Sequence, residues 1–418
     1  MRRRRVQATA GGAAVLALAS ALALTGCGGG GGTAADPSGP PAASAAGGES
    51  PGGNASPDPG GPVDVEPRWQ TELPPGTVVE TAAGNDRVYV ALNGDPHRVV
   101  ALDPADGSEL WTYEHGGAAR REAPIEDIEP APDGLVFVSG PDVHRIGLDG
   151  ELVWSAPGIA GSVFGPEAVA ADDGGVVIGT DNGAAGLASE DGANRWTVEG
   201  EDVHAPGTRL AGAQERRILL TEELAIVQGG LAGYFTVTAI DRDGGDVVWH
   251  RETTATPRAT LAGGVLVHQQ EPGMLTGVDP ATGEELWRLP GLEEGDGLNH
   301  PIWVAGDTVV THHIGSIQGV DAATGTVSWT TPAPAAADFS ERIGTTLGDG
   351  RLALVVDGGL ALIAGDGTLT QLGLPQPGNL QTVNFAAALG NEVYVTSRTS
   401  RTDEGPYAMA VPAEGNAR

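Results

Sequence analysis

An all-β ring of small antiparallel sheets is the fold this sequence predicts, and three observations predict it. First, the unit Ala101-Leu-Asp-Pro-Ala-Asp-Gly107-Ser-Glu-Leu-Trp111 recurs with its spacing intact. It returns at Ala239, Asp241, Gly245 and Trp249, at Gly277, Asp279, Gly283 and Trp287, and at Gly319, Asp321, Gly325 and Trp329. Second, the glycines of this unit and of its variants stand at 107, 150, 192, 245, 283, 325, 367 and 415. Their spacing of about 38–53 residues brackets the roughly 40–45-residue period of a propeller blade. Third, each interval holds one apolar run, from Arg87-Val-Tyr-Val-Ala91 to Glu392-Val-Tyr-Val-Thr396, so that eight runs accompany eight turns. These runs are rich in Val, Ile, Leu and Tyr behind Gly or Asp, which is strand chemistry. No long segment carries a 3.6-residue period; Ala213–Gln228 comes nearest, and its Ile218-Leu-Leu and Leu224-Ala-Ile-Val runs fit strands better. The expectation is an eight-bladed β-propeller of four-stranded antiparallel blades.

The unit has a physical reading. Asp accepts hydrogen bonds from turn amides, and Gly supplies the positive φ that closes a hairpin. A large rigid ring four residues after the Gly is what packing between sheets requires. A lone hairpin is marginal in water, whereas stacked sheets bury each other's faces.

The chain opens with Met1 and four arginines, followed by an apolar stretch to Ala23 and then Leu24-Thr-Gly-Cys27. A charged segment and a short apolar segment make residues 1–26 a signal peptide. The last four residues resemble the bacterial lipobox, and that resemblance implies a lipidated Cys27 as the mature N-terminus. The alternative is an ordinary secretory signal with an incidental Cys. The arginine run also leaves a twin-arginine route open. Residues 27–62 are Gly, Ala, Pro and Ser with scattered acids, a tether without the apolar surface to fold. As a flexible coil it reaches roughly 30–35 Å. Residues 63–418 form the propeller domain.

The formal net charge is −32, and every basic residue is Arg. Such a balance excludes a basic face for nucleic acid or for anionic lipid. Attachment to the outer face of the cell membrane is expected to come from acyl chains on Cys27. Cys27 is the only cysteine, so the exported domain has no disulfide of its own.

The blades vary. The second and seventh turns are shorter, the third has Ala188 in place of Asp, and the seventh has Gln371 in place of Trp. After Gly415 too few residues remain for a last strand, yet Trp69 lies near the start with no hairpin before it. Ring closure accounts for both: the Trp69 strand completes the C-terminal sheet and removes the open edges.

The Ala-x-Asp-x-x-x-Gly-x-x-x-Trp unit resembles the repeat of the pyrroloquinoline-quinone-type β-propellers. That family includes quinoprotein alcohol dehydrogenases and the propeller lipoprotein of the β-barrel assembly machinery. The resemblance implies that Trp69, Trp111, Trp154, Trp196, Trp249, Trp287 and Trp329 make docking contacts between blades. It also raises a quinone enzyme, which we disfavour, because the vicinal Cys pair and the calcium set of those enzymes have no counterpart here. Catalytic residues, metal and cofactor are expected to be none. Asp241-Arg-Asp243-Gly-Gly-Asp246 has the look of a calcium loop, but it overlays on the repeat turn. His312 and His313 are strand neighbours and point to opposite faces.

Three connections exceed what the repeat needs: residues 118–129, 200–216 and 291–303. Trp303 is out of register with the repeat and stands near Asn299 and His300. These three residues are a candidate partner-binding element, since Trp is enriched at hot spots; alternatively Trp303 opens an inner strand and packs in the core. The functional expectation is a monomeric, non-catalytic scaffold that binds a protein or envelope component. The alternatives are a small-ligand sensor with a site in the central channel and, last, a quinone-dependent dehydrogenase.

Overall fold

The computed structural model describes residues 62–413, except 117–122, 161–168, 181–182, 200–216, 232–233, 255–257, 291–301, 314, 335–343, 357–358, 375–379 and 400–404. All of them fall in one compact unit, Asp58–Arg418. The described elements are strands arranged in eight antiparallel sheets. Seven blades follow one another in the chain: Thr77–His115, Ile125–Ala156, Val169–Glu199, Arg217–Thr253, Ala259–Leu289, Ile302–Pro332 and Gly344–Gly373. Blade 8 combines Leu380–Leu389, Glu392–Thr399 and Tyr407–Pro412 with Trp69–Glu72 from the other end of the chain. Trp69 pairs with Ala410 and Glu72 with Tyr407 in that closing strand. The first strands of successive blades neighbour one another, and that of blade 8 neighbours that of blade 1. The ring is closed, and the first strands are its innermost layer.

Alternation explains the strands. In each blade the second strand is buried on both faces, as in Arg87–Asn93 and Gly134–Ser139, and so reads as a continuous apolar run. The fourth strand is half exposed and alternates, as in Val247–Thr253. The buried side chains fall into eight apolar clusters, one between each pair of adjacent blades. No blade has a core of its own.

The repeat turn is built by backbone bonds. Gly245 N donates to Asp241 O and Asp241 N to Asp246 O, and the same pair of bonds recurs around Asp103, Asp279 and Asp321. In blade 3 the bonds survive at Ala188, so the carboxylate is an addition to the turn and not its condition. Where Asp is present its Oδ1 accepts turn amides, as Asp241 does from Asp243 and Gly244.

One sheet departs from the four-stranded expectation. Val63–Asp64 adds a fifth strand to blade 7, running parallel to its outer strand Leu369–Gly373. Val65, buried at 6 %, follows it into the cluster between blades 7 and 8. Gln371 makes blade 7 the blade without an outer-strand Trp. This strap therefore adds apolar burial at the interface that lacks a ring. Val65→Asp should lower the melting temperature, whereas Val63→Thr, at a side chain 45 % exposed, should leave it nearly unchanged.

Candidate functional site

Each repeat Trp reaches into the next blade. The indole Nε1 of Trp69, Trp111, Trp154, Trp196, Trp249, Trp287 and Trp329 donates to a turn carbonyl of the following blade at 2.7–2.9 Å. The acceptor lies three residues before the turn Gly in the long turns (Pro104, Ser189, Arg242, Pro280, Ala322). In the two short turns it lies two residues before (Leu148, Gly365). Each Trp side chain also packs against that turn's Gly: a β-carbon on Gly150 would fall 2.7 Å from Trp111, and at the other six turn glycines it would fall 2.4–2.6 Å from the Trp. On its own blade the ring crosses the residue that opens the motif. Trp111 pairs with Ala101, Trp249 with Ala239, Trp287 with Gly277 and Trp329 with Gly319. Only a small residue leaves room there, which is why the motif opens on Ala or Gly.

Blade 2 breaks that rule. Arg145 stands opposite Trp154, is 5 % exposed, and donates to Ser189 O at 2.5 Å, the carbonyl that Trp154 also uses. A second buried cation, Arg242, ties blade 4 to blade 3 by donating to the Asp172 carboxylate, and within its own blade it donates to Thr221 O. Burial raises the Asp172 pKa, but hydrogen bonds from Arg242 and the Gly174 amide outweigh it and hold the carboxyl below the usual range.

The innermost strands are stitched by polar groups that sequence reading missed. Glu80 of blade 1 accepts from Ile128 N, and Asp127 of blade 2 accepts from Val169 N of blade 3. Asn93 bonds both N and O of Ile125, and Thr81 meets Thr396 of blade 8 at 2.8 Å. Glu126, beside Asp127, is pushed up to about 7 by burial and then by its neighbour's charge. His268 is fully buried and shares the strand face of Leu266, which packs between blades 4 and 5. Burial holds its imidazole down at about 4.

Trp303 lies in the second residue of the innermost strand of blade 6, Ile302–Ala305. It is 5 % exposed, packs with Ala305, Val310 and Leu354, and abuts Gly344 of blade 7. This burial fits the alternative reading, in which Trp303 opens an inner strand and packs in the core. Asn299, His300 and Cys27 lie outside the described residues. His312 and His313 are adjacent on one strand. Among the described residues no three His, Cys, Asp or Glu side chains are grouped as metal ligands.

The ring with its interlocked tryptophans has known relatives. A family profile described as outer membrane protein assembly factor BamB matches residues 63–211, 98–260 and 233–372. The chain belongs to this family. BamB from Moraxella catarrhalis is similar in structure, with 17 % identity, a TM-score of 0.55, and coverage of 82 % of this chain and 99 % of that one. The computationally designed Ika8 protein is similar at 13 % identity and TM-score 0.57, covering 82 % and 99 %. Quinohemoprotein alcohol dehydrogenase ADHIIG from Pseudomonas putida HK5 is similar at 15 % identity and TM-score 0.53, covering 84 % of this chain and 76 % of that one. At these identities the likeness is one of fold. No curated protein sequence matches the chain.

The dehydrogenase relatives raise the question of a quinone. Pyrroloquinoline quinone carries several carboxylates and calls for cationic partners. The innermost strand of blade 2 instead brings Glu126, Asp127 and Glu129, with Glu80 beside it on blade 1. One cysteine, at position 27, cannot form a vicinal pair. Among the described residues, the innermost strands of blades 1 and 2 supply acids and no cation.

Two outcomes follow. Gly283→Ala and Gly306→Ala both place a side chain at positive φ, costing about 1 kcal/mol each, but a β-carbon at 283 also meets the Trp249 ring at 2.6 Å while 306 is open. Urea melts should show Gly283→Ala as the more destabilising. The pH dependence divides between two groups. Raised Glu126 binds a proton more readily folded than unfolded, so its contribution is present below about pH 4.5 and lost as pH rises through 7. Lowered His268 acts the other way, and its contribution is lost as pH falls from 6.5 towards 4. Thermal melts should show Glu126→Gln raising stability at pH 8 but not at pH 4, and His268→Gln raising it near pH 4.5 relative to pH 8.

Proposed function

We propose that this chain is an exported lipoprotein whose propeller is a cofactor-free, non-catalytic scaffold for a protein partner in the cell envelope. Membership of a family described as an assembly factor carries this reading. Leu24-Thr-Gly-Cys27 after an apolar segment supports a lipid anchor, and the Gly-, Ala- and Pro-rich stretch behind it supports a tether. The net charge of −32 supports a partner other than nucleic acid or an anionic lipid surface. The ring itself is a rigid platform, since seven of its eight blade boundaries carry the same Trp clasp, and rigid platforms present loops for recognition.

Two measurements test the reading. Mass spectrometry of the N-terminal peptide from membranes should find diacylglyceryl on Cys27, and Cys27→Ser should move the chain to the soluble fraction. Crosslinking of the full chain in its membrane should return one recurring protein, with no visible or near-ultraviolet chromophore in the purified chain. A stoichiometric quinone, or an unmodified N-terminus on a soluble chain, would contradict it.

A further inference from the structure

The outer strands of the blades share one pattern. The residue after the repeat Trp is polar in every blade that has one: Gln70, Thr112, Ser155, Thr197, His250, Arg288 and Thr330. All are exposed except Thr112, which is half-buried. Blade 7 inverts the pattern. Its Trp position holds polar Gln371, and the next residue is Leu372, only 2 % exposed. Leu372 lies in the apolar cluster between blades 7 and 8, and the strap pairs along its backbone. Val63 pairs with Leu372 and Asp64 with Gly373, both in parallel register, and Val65 N donates to Gly373 O at 3.0 Å. Val65 then joins Leu372 and Leu374 in the cluster between blades 7 and 8. This edge is thus a built acceptor for an extended segment with branched apolar side chains at alternate positions.

The occupant is held lightly. Only two residues pair, Val63 is 45 % exposed, and Leu369–Gln371 keep an outer edge that the strap leaves uncovered. Strand pairing this short is marginal, and an unpaired edge is a template for another chain. We propose that the outer edge of blade 7 is a strand-acceptor site for a partner protein. The strap Val63–Val65 occupies it in this structure, and it takes in its place a longer extended segment carrying Val or Ile at alternate positions. Recognition is by added backbone hydrogen bonds along Leu369–Gly373 and by apolar side chains against Leu372 and Leu374. The strap then acts as a self-ligand that keeps the edge closed until the partner competes for it. This inference rests on the protein-binding reading above.

The experiment uses the full chain and a fluorescein-labelled peptide copying residues 61–67. Wild type should bind the peptide weakly. Val65→Asp, which releases the strap, should bind it at least tenfold more tightly, and adding Leu372→Thr should return binding to the wild-type level. Should Val65→Asp fail to fold, Val63→Pro removes the pairing more gently and serves in its place. In membranes, a photo-crosslinking residue at Thr370 should capture a partner, and the unlabelled peptide should suppress that adduct. The same residue at Thr330 of blade 6, the exposed counterpart of Leu372, should give no adduct sensitive to the peptide. Peptide binding indifferent to both Val65 and Leu372 overturns the proposal. An adduct elsewhere but not at Thr370 also overturns it and leaves the scaffold reading standing. A second copy of this chain in the Thr370 adduct overturns it in favour of strand exchange. No protein adduct at any position, even after general crosslinking, removes the scaffold reading as well.

Discussion

Every blade depends on its neighbour, because no four-stranded sheet here has a core of its own. The constraint is met at one recurring contact: an indole ring laid on the next blade's turn glycine, with its N–H on that turn's carbonyl. The contact explains each letter of the motif. Gly at the turn leaves room for the ring, Ala or Gly at the start leaves room on the ring's own blade, and Asp settles the turn amides. Eight apolar clusters then form between blades in place of a central core. Stability is a property of the closed circle, and the strand Trp69–Glu72 that closes it is as much a part of the core as any other.

Much of this was legible because the repeat is periodic and its turn chemistry is local. Blade number and closure followed from counting glycines and from Trp69 standing without a hairpin. What was not legible was whatever the repeat does not contain. The strap Val63–Asp64 is two residues long, too short to show a period, and only the paired oddities Gln371 and Leu372 hint at it. Arg145 in a place reserved for Ala or Gly is visible in the sequence but meaningless until its bond to Ser189 O is seen. Residues 125–129 read as part of a long connection, whereas Ile125–Ala131 is the innermost strand of blade 2, and Glu80 and Asp127 accept backbone amides across blade boundaries. Trp303 was ambiguous for a plain reason: an apolar strand start and an exposed aromatic look alike without the neighbour that covers them.

The same physics shapes the functional reading. A fold whose interior is spent on packing blades together presents its variation at the rim and at the connections between strands. That arrangement suits a scaffold that holds partners. At 15 % identity the resemblance to the dehydrogenase is one of architecture. The inverted polarity of blade 7 gives the rim one position unlike the others.

Hydrogen exchange under native conditions tests the central claim most directly. If closure by the N-terminal strand is integral to the ring, the amides of Trp69–Glu72 should exchange with the same opening free energy as those of Val265–Gln269 in blade 5. Exchange of the closing strand that is faster by orders of magnitude, with blade 5 still protected, would contradict the account, because the ring would then stand without its clasp.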